Sequence, residues 1–144
     1  MHYSYCAQIE PDSDGGFLVT FPDVPEANTH GEDKDEARVH AVEALGLALR
    51  GYLAIGKDIP MPSIKQRKGF VDIPVEAHDA LKLAVIIAFK AEGLSKSELA
   101  RRLGKAETEA RRILDPDHPT KLPLLEAALA VLGKKILITI LDAA

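Results

Sequence analysis

Three aspartates near the amino terminus are the first residues whose type and spacing could support chemistry. Asp12, Asp14 and Asp23 could together bind a metal ion, as the carboxylates of metal-dependent nucleases do. Asp12 and Asp14, however, flank turn glycines, where aspartate is favoured because it bonds nearby backbone groups. Asp23 lies between two prolines in an expected surface turn. We therefore interpret all three as turn residues and predict neither a metal site nor an enzyme.

The remaining reactive residue types show no catalytic or cofactor pattern. Cys6 is the single cysteine of the 144-residue chain, and the five histidines show no metal-binding spacing. No glycine-rich phosphate loop is present, so no cofactor is predicted. The amino terminus lacks a signal-peptide pattern, and the longest apolar run is far shorter than the ~20 residues of a membrane span. We expect a cytoplasmic protein with no membrane partner.

Positive charge is concentrated in the second half of the chain. Residues 1–75 contain 7 Lys and Arg against 12 Asp and Glu, a net charge of −5. Residues 76–144 contain 11 against 10, a net charge of +1, within a total of −4. Six basic residues fall in one stretch: Lys96, Arg101, Arg102, Lys105, Arg111 and Arg112. The acidic first half and the locally basic second half should therefore bind two different kinds of partner.

Residues 95–114 have the pattern of a helix-turn-helix. Ser95 and Glu98 have the capping-box spacing that begins a helix. Gly104 permits a tight left-handed turn, and a second short helix follows at 106–114. In this motif the second helix enters the major groove of DNA.

The outward side chains of these two helices suit DNA. Arginine pairs with guanine, glutamate accepts from cytosine, and the methyl groups of alanine or threonine contact thymine. Lys96 and Ser97, at the start of the first helix, suit a phosphate, and Lys105 in the turn suits the DNA backbone. The predicted DNA-binding residues are Lys96, Ser97, Lys105, Ala106, Glu107, Thr108, Arg111 and Arg112.

The front of the chain alternates as strands do and is expected to form a β-β-β-α-β unit. Strands are predicted at 3–10 and 17–21, with a short third at 27–30 and a fourth at 69–73. A helix capped by Asp33 and closed by Gly56 lies between the third and fourth strands. The candidate contacts to a basic partner are Asp12, Asp14, Asp23, Glu26, Glu32, Asp33 and Asp35.

From residue 75 onward the apolar period is that of helices. Four are predicted, at 76–92, 95–103, 106–114 and 122–132. The β-branched run 136–141 should form a buried or dimer-paired strand, with Ile136, Ile138 and Ile140 as dimerisation residues. The predicted fold class is α+β, with domains at 1–74 and 75–144. The polar residues 65–68 are expected to form a surface connection.

At the level of motifs the chain resembles two known groups. Residues 94–140 resemble the lambda-repressor-like helix-turn-helix class through Leu-Ser-Lys-Ser-Glu-Leu-Ala-Arg-Arg-Leu-Gly and Leu-Pro-Leu-Leu-Glu-Ala-Ala-Leu-Ala-Val-Leu-Gly. The front half resembles the HicB antitoxin family through the Asp-Gly-Gly turn, Phe-Pro-Asp-Val-Pro and Ile-Pro-Met-Pro-Ser. After Gly104 the family usually has Val or Ile, whereas this chain has Lys105. Glu107 and Glu109 also add acidic charge to the second helix.

The resemblance implies a type II antitoxin. Its front domain would be a partial RNase-H-like fold without the catalytic carboxylates, which binds and neutralises a small basic HicA-like ribonuclease toxin that cleaves mRNA. Its back domain would dimerise, giving a homodimer or a tetramer, and repress its own operon by binding operator DNA. The alternative is a plain transcriptional regulator whose front domain senses a ligand or oligomerises.

Overall fold

A computed structural model of the chain describes residues 1–63 and 68–143. The chain divides into two compact units, Met1–Leu83 and Ala84–Ala144, which we describe separately. The domain boundary predicted at residues 74 and 75 stays a prediction. Most of the predicted surface connection at 65–68 lies outside the described residues.

The first unit contains a four-stranded antiparallel sheet. Its strands are β1 (Ser4–Pro11), β2 (Phe17–Thr20), β3 (Thr29–Gly31) and β4 (Phe70–Pro74), in the order β3-β2-β1-β4. The β1–β2 turn uses Gly15 and Gly16 at φ of +98° and +72°, which glycine adopts without steric cost. With α1 (Lys34–Ala54) between β3 and β4, the predicted β-β-β-α-β order is confirmed.

The α1 helix begins where the sequence predicted. The Asp33 carboxylate accepts a hydrogen bond from the backbone N–H of Glu36 at 2.8 Å. The Glu36 carboxylate accepts in turn from the backbone N–H of Glu32 at 2.5 Å, so the cap satisfies two amides at the helix start. A side chain at Gly31 of β3 would collide with the Ala37 backbone, so this glycine allows α1 to lie close to the sheet.

The buried face of α1 combines small and large apolar residues. Its completely buried side chains are Ala37, Ala41, Leu45 and Leu49. Val42 and Tyr52 recur at helical spacing with the two leucines but are only half-buried. Ala37 lies directly beside Gly31 of β3, where the close approach of helix and strand suits a small side chain.

The second unit contains helices. The division between the units falls within α2 (Ala77–Glu92), and α3 (Lys96–Leu103), α4 (Glu107–Ile113) and α5 (Leu122–Val131) follow. The four predicted helices are therefore confirmed, with ends that differ by one residue at most. In the described parts of the chain, no helix combines the length and the apolar character needed to cross a membrane.

The carboxyl-terminal segment does not form the predicted strand within this chain. Residues 134–143 contain neither helix nor strand. Leu137, Ile138, Ile140 and Leu141 are 92%, 72%, 87% and 82% exposed, and Ile136 is 38% exposed. The buried-strand alternative is therefore wrong for a single chain, because a strand needs a neighbour to satisfy its backbone groups. The dimer-paired alternative stays a prediction.

Candidate nucleic-acid interface and acidic partner surface

The local sequence explains the geometry of α3 and α4. Ser95 caps α3 by accepting from the backbone N–H of Glu98 at 3.1 Å. Gly104 ends α3 in the left-handed conformation, with φ 64° and ψ 33°, and its N–H bonds back to the last turn of α3. Four side chains of the two helices are buried and fix their packing: Leu99, Ala100, Ala110 and Ile113. Leu103, one turn after Leu99, is half-buried.

All eight predicted DNA-binding residues are exposed. The structure brings three of them into contact across the two helices. Ser97 of α3 donates its hydroxyl hydrogen to Glu107 of α4 at 3.1 Å, and Arg111 donates to the same carboxylate at 2.9 Å. A serine hydroxyl has one hydrogen to donate, so a phosphate at Ser97 would compete with Glu107.

The arginines of α3 and α4 are paired with glutamates of their own helices. Arg101 and Arg102 contact the Glu98 carboxylate at 2.6 and 3.1 Å, and these hydrogen bonds lower the pKa of Glu98 to about 2. Arg112 lies 3.7 Å from Glu109. The Glu98 pairs were not predicted from the sequence, although the three- and four-residue spacing indicates them. The exposed surface of α3 and α4 therefore carries hydrogen-bond acceptors beside donors and is not uniformly basic.

A groove of about 560 Å³ lies beside α4 and is partly basic. Lys105 and Arg112 line it together with His118 and Lys121 of the α4–α5 connection. His118 and Lys121 were not among the residues predicted from the sequence to bind DNA. Their signal in the sequence was weak, since the connection also contains Asp115 and Asp117.

The seven acidic candidates of the first unit lie at two opposite ends of β2. Phe17 pairs with Gly31 and Val19 with Thr29, so the β1–β2 turn and the segment after β3 share one end of the sheet. His30 donates from Nε2 to the Gly15 carbonyl at 2.9 Å, which joins these two segments. The first acidic group, at this end, consists of Asp12, Asp14, Glu32, Asp33 and Asp35.

The second acidic group, at the other end of β2, consists of Asp23 and Glu26. Asp23 accepts from the backbone N–H and the hydroxyl of Ser63, at 2.9 and 2.5 Å. Glu26 accepts from the Tyr52 hydroxyl at 2.5 Å, and this bond lowers the pKa of Glu26 and raises that of Tyr52. Asp23 is therefore separated by the length of β2 from Asp12 and Asp14, so the three aspartates do not converge on one metal site.

In the described residues, one group of three side chains has metal-ligand spacing: Glu76, His78 and Asp79. Asp79 accepts from Arg50 at 2.6 Å, and Glu76 accepts from the backbone N–H groups of His78 and Asp79. These bonds cap the start of α2 and tie it to α1, which accounts for the cluster without an ion.

Comparison with known proteins gives one consistent result. A family model described as "HicB_like antitoxin of bacterial toxin-antitoxin system" matches residues 4–84. Antitoxin HicB 1 of Photorhabdus laumondii is 34% identical over 94% of this chain and 86% of its own length. Antitoxin HicB of Escherichia coli K12 is 35% identical over 92% of this chain and 95% of its own length. Antitoxin HicB of Pseudomonas fluorescens is 28% identical over 96% and 94%.

Proposed function

This chain belongs to the HicB-like antitoxin family of bacterial toxin-antitoxin systems, and on that premise we propose that it has two binding activities. Its front domain, residues 1–74, neutralises a HicA-like mRNA-cleaving toxin by direct binding. Its back domain, residues 75–144, represses its own operon by binding operator DNA. Both activities would take place in the cytoplasm, and neither requires a catalytic residue or a cofactor.

We propose α3 and α4 as a lambda-repressor-like helix-turn-helix, with α4 in the major groove. The observation that supports this most is the exposure of all eight predicted DNA-binding residues on α3, on α4 and in the turn between them, while the buried faces of the two helices pack together. Lys105 and the basic side chains of the groove beside α4 would contact phosphates. The glutamates that pair with the arginines would keep nonspecific affinity low, because they offset the charge that attracts any phosphate backbone.

We propose the first unit as a partial RNase-H-like domain that binds the toxin through acidic residues. Asp12, Asp23, Glu26 and Asp33 already accept hydrogen bonds within the chain. The carboxylates of Asp14, Glu32 and Asp35 are exposed and, in the described part of the chain, carry no hydrogen bond or ion pair. The end of the sheet that holds these three side chains is therefore the better candidate for a basic toxin.

The proposed repressor activity is tested by an electrophoretic mobility shift with DNA from upstream of the chain's own gene. Arg111→Ala/Arg112→Ala should abolish the specific shift, and circular dichroism should show that the fold is retained. Arg101→Ala/Arg102→Ala is a matched control, since it removes the same charge from exposed positions of the neighbouring helix. No specific shift by the wild type would contradict repression and favour a partner-binding role alone.

A further inference from the structure

The carboxylate of Glu107 is fixed by donors from two different helices. Ser97 Oγ of α3 donates to Oε2 at 3.1 Å, and Arg111 Nη2 of α4 donates to Oε1 at 2.9 Å. Even so, the side chains of Glu107 and Arg111 are 45% and 61% exposed. An acceptor and a donor are therefore held side by side in a defined place before any ligand arrives.

This pair still has unused capacity for hydrogen bonds. Each carboxylate oxygen can accept a second bond, and a guanidinium has five N–H donors, of which the contact with Glu107 uses one. A ligand that fits must present a donor beside an acceptor. The major-groove edge of a base pair does so, because the exocyclic amine of one base lies beside the carbonyl of its partner.

The chemistry of the base edges distinguishes a C·G base pair from an A·T base pair. Cytosine N4 is a donor, and the paired guanine offers O6 and N7 as acceptors to an arginine. In adenine the N6 donor lies directly beside the N7 acceptor, whose lone pair would face the carboxylate and repel it. Building on the operator binding proposed above, we propose that Glu107 and Arg111 together read a C·G pair in each half-site. Ser97 is the positioning residue that holds Glu107 for this contact.

The adjacent pair on α4 lacks this arrangement and supplies the control. Arg112 and Glu109 are 3.7 Å apart, and both line the groove beside α4 and α5. Glu109→Gln removes the same charge from the same helix as Glu107→Gln. A general electrostatic effect would change DNA binding equally in both variants. A base-reading role would change the preferred base pair only in Glu107→Gln.

The experiment is selection from a pool of random duplex DNA with the full-length chain. The wild type should enrich a motif with a C·G pair in each half-site. Glu107→Gln should move that position towards A·T, because glutamine bonds adenine at N6 and N7. Ser97→Ala should keep the C·G preference but reduce the discrimination about tenfold. Glu109→Gln should leave the motif unchanged.

The outcomes separate this inference from the operator binding on which it rests. If the wild type enriches no motif, operator binding itself is wrong. If the wild type enriches a motif and Glu107→Gln enriches the same one, operator binding stands and the role of Glu107 is overturned. Glu107 is exposed and glutamine has its shape, so this variant should fold and decide the question even if Ser97→Ala does not.

Discussion

Asp23 and Ser63 are joined by two hydrogen bonds although 40 residues separate them. Ser63 is the end of the proline-rich segment 59–63, whose Ile59 is 93% buried, with 7% exposed. Tyr5 donates to the Pro60 carbonyl at 2.6 Å in the same segment. Asp23, a predicted toxin contact, therefore also anchors the segment 59–63 within the first unit.

We expect Asp23→Ala to destabilise the first unit by about 1 kcal/mol, because it removes both carboxylate acceptors and leaves the backbone N–H of Ser63 without this bond. Ser63→Ala should cost less, since it keeps the backbone N–H that bonds Asp23 at 2.9 Å. Urea unfolding of the two variants and the wild type measures this. Equal midpoints for all three would show that these bonds do not contribute to stability.

We expect Glu32→Gln/Asp35→Asn to lower toxin affinity about tenfold, mainly through a slower association rate at low salt. Both carboxylates are exposed, and neither caps α1, so the fold should be retained. Association kinetics with a purified HicA-like toxin measure the effect.

The matched control for that prediction is Glu43→Gln/Asp72→Asn. It removes the same charge from exposed positions on α1 and β4, away from the first acidic group. Equal losses in the two double variants would mean that net charge alone attracts the toxin. If Glu32→Gln/Asp35→Asn kept full affinity and Asp23→Ala/Glu26→Gln lost it, the toxin contact would lie at the other end of the sheet.

The pKa of Glu98 predicts how its ion pairs respond to acid. The folded pKa of about 2 lies below the ordinary value of 4.5, because Arg101 and Arg102 donate to the ionised form. A lowered folded pKa gives stability that is present above about pH 4.5 and is lost as the pH falls towards 2. Glu98→Gln should therefore melt below the wild type at pH 7 and together with it near pH 2.

Thermal unfolding followed by circular dichroism tests this, with Glu126→Gln as the control. Glu126 is an exposed glutamate of α5. The Glu126→Gln variant should melt at the same temperature as the wild type at both pH values. A Glu98→Gln variant that melts with the wild type at pH 7 would show that the pairs with Arg101 and Arg102 are too solvent-screened to contribute.

Local features of the fold were predictable from the sequence because neighbouring residues determine them. Asp33 and Glu36 indicate the start of α1, and Gly104 indicates the turn after α3, through hydrogen bonds and backbone angles within a few residues. The exposed face of α4 followed from its helical period, since the buried Ala110 and Ile113 define the opposite side.

Features that depend on contacts distant in sequence were not predictable in the same way. The division of the acidic residues into two groups follows from the pairing of Phe17 with Gly31, which no local pattern specifies. The bond between Ser97 and Glu107 requires the angle at which α3 meets α4. The terminal strand was expected from its β-branched residues, but strand propensity supplies no partner for the backbone.

The exposed carboxyl-terminal segment predicts that this chain dimerises through residues 136–141. An apolar run of this kind on a monomer indicates an interface, and pairing with a second copy would satisfy its backbone groups. Ile136→Ser/Ile138→Ser/Ile140→Ser should therefore give a monomer in sedimentation experiments and weaken operator binding, because two half-sites are then no longer bound together. Leu137→Ser, at a position that is 92% exposed and on the opposite face of an extended chain, is the control. A triple variant that remains dimeric would place the dimer contact elsewhere in the chain.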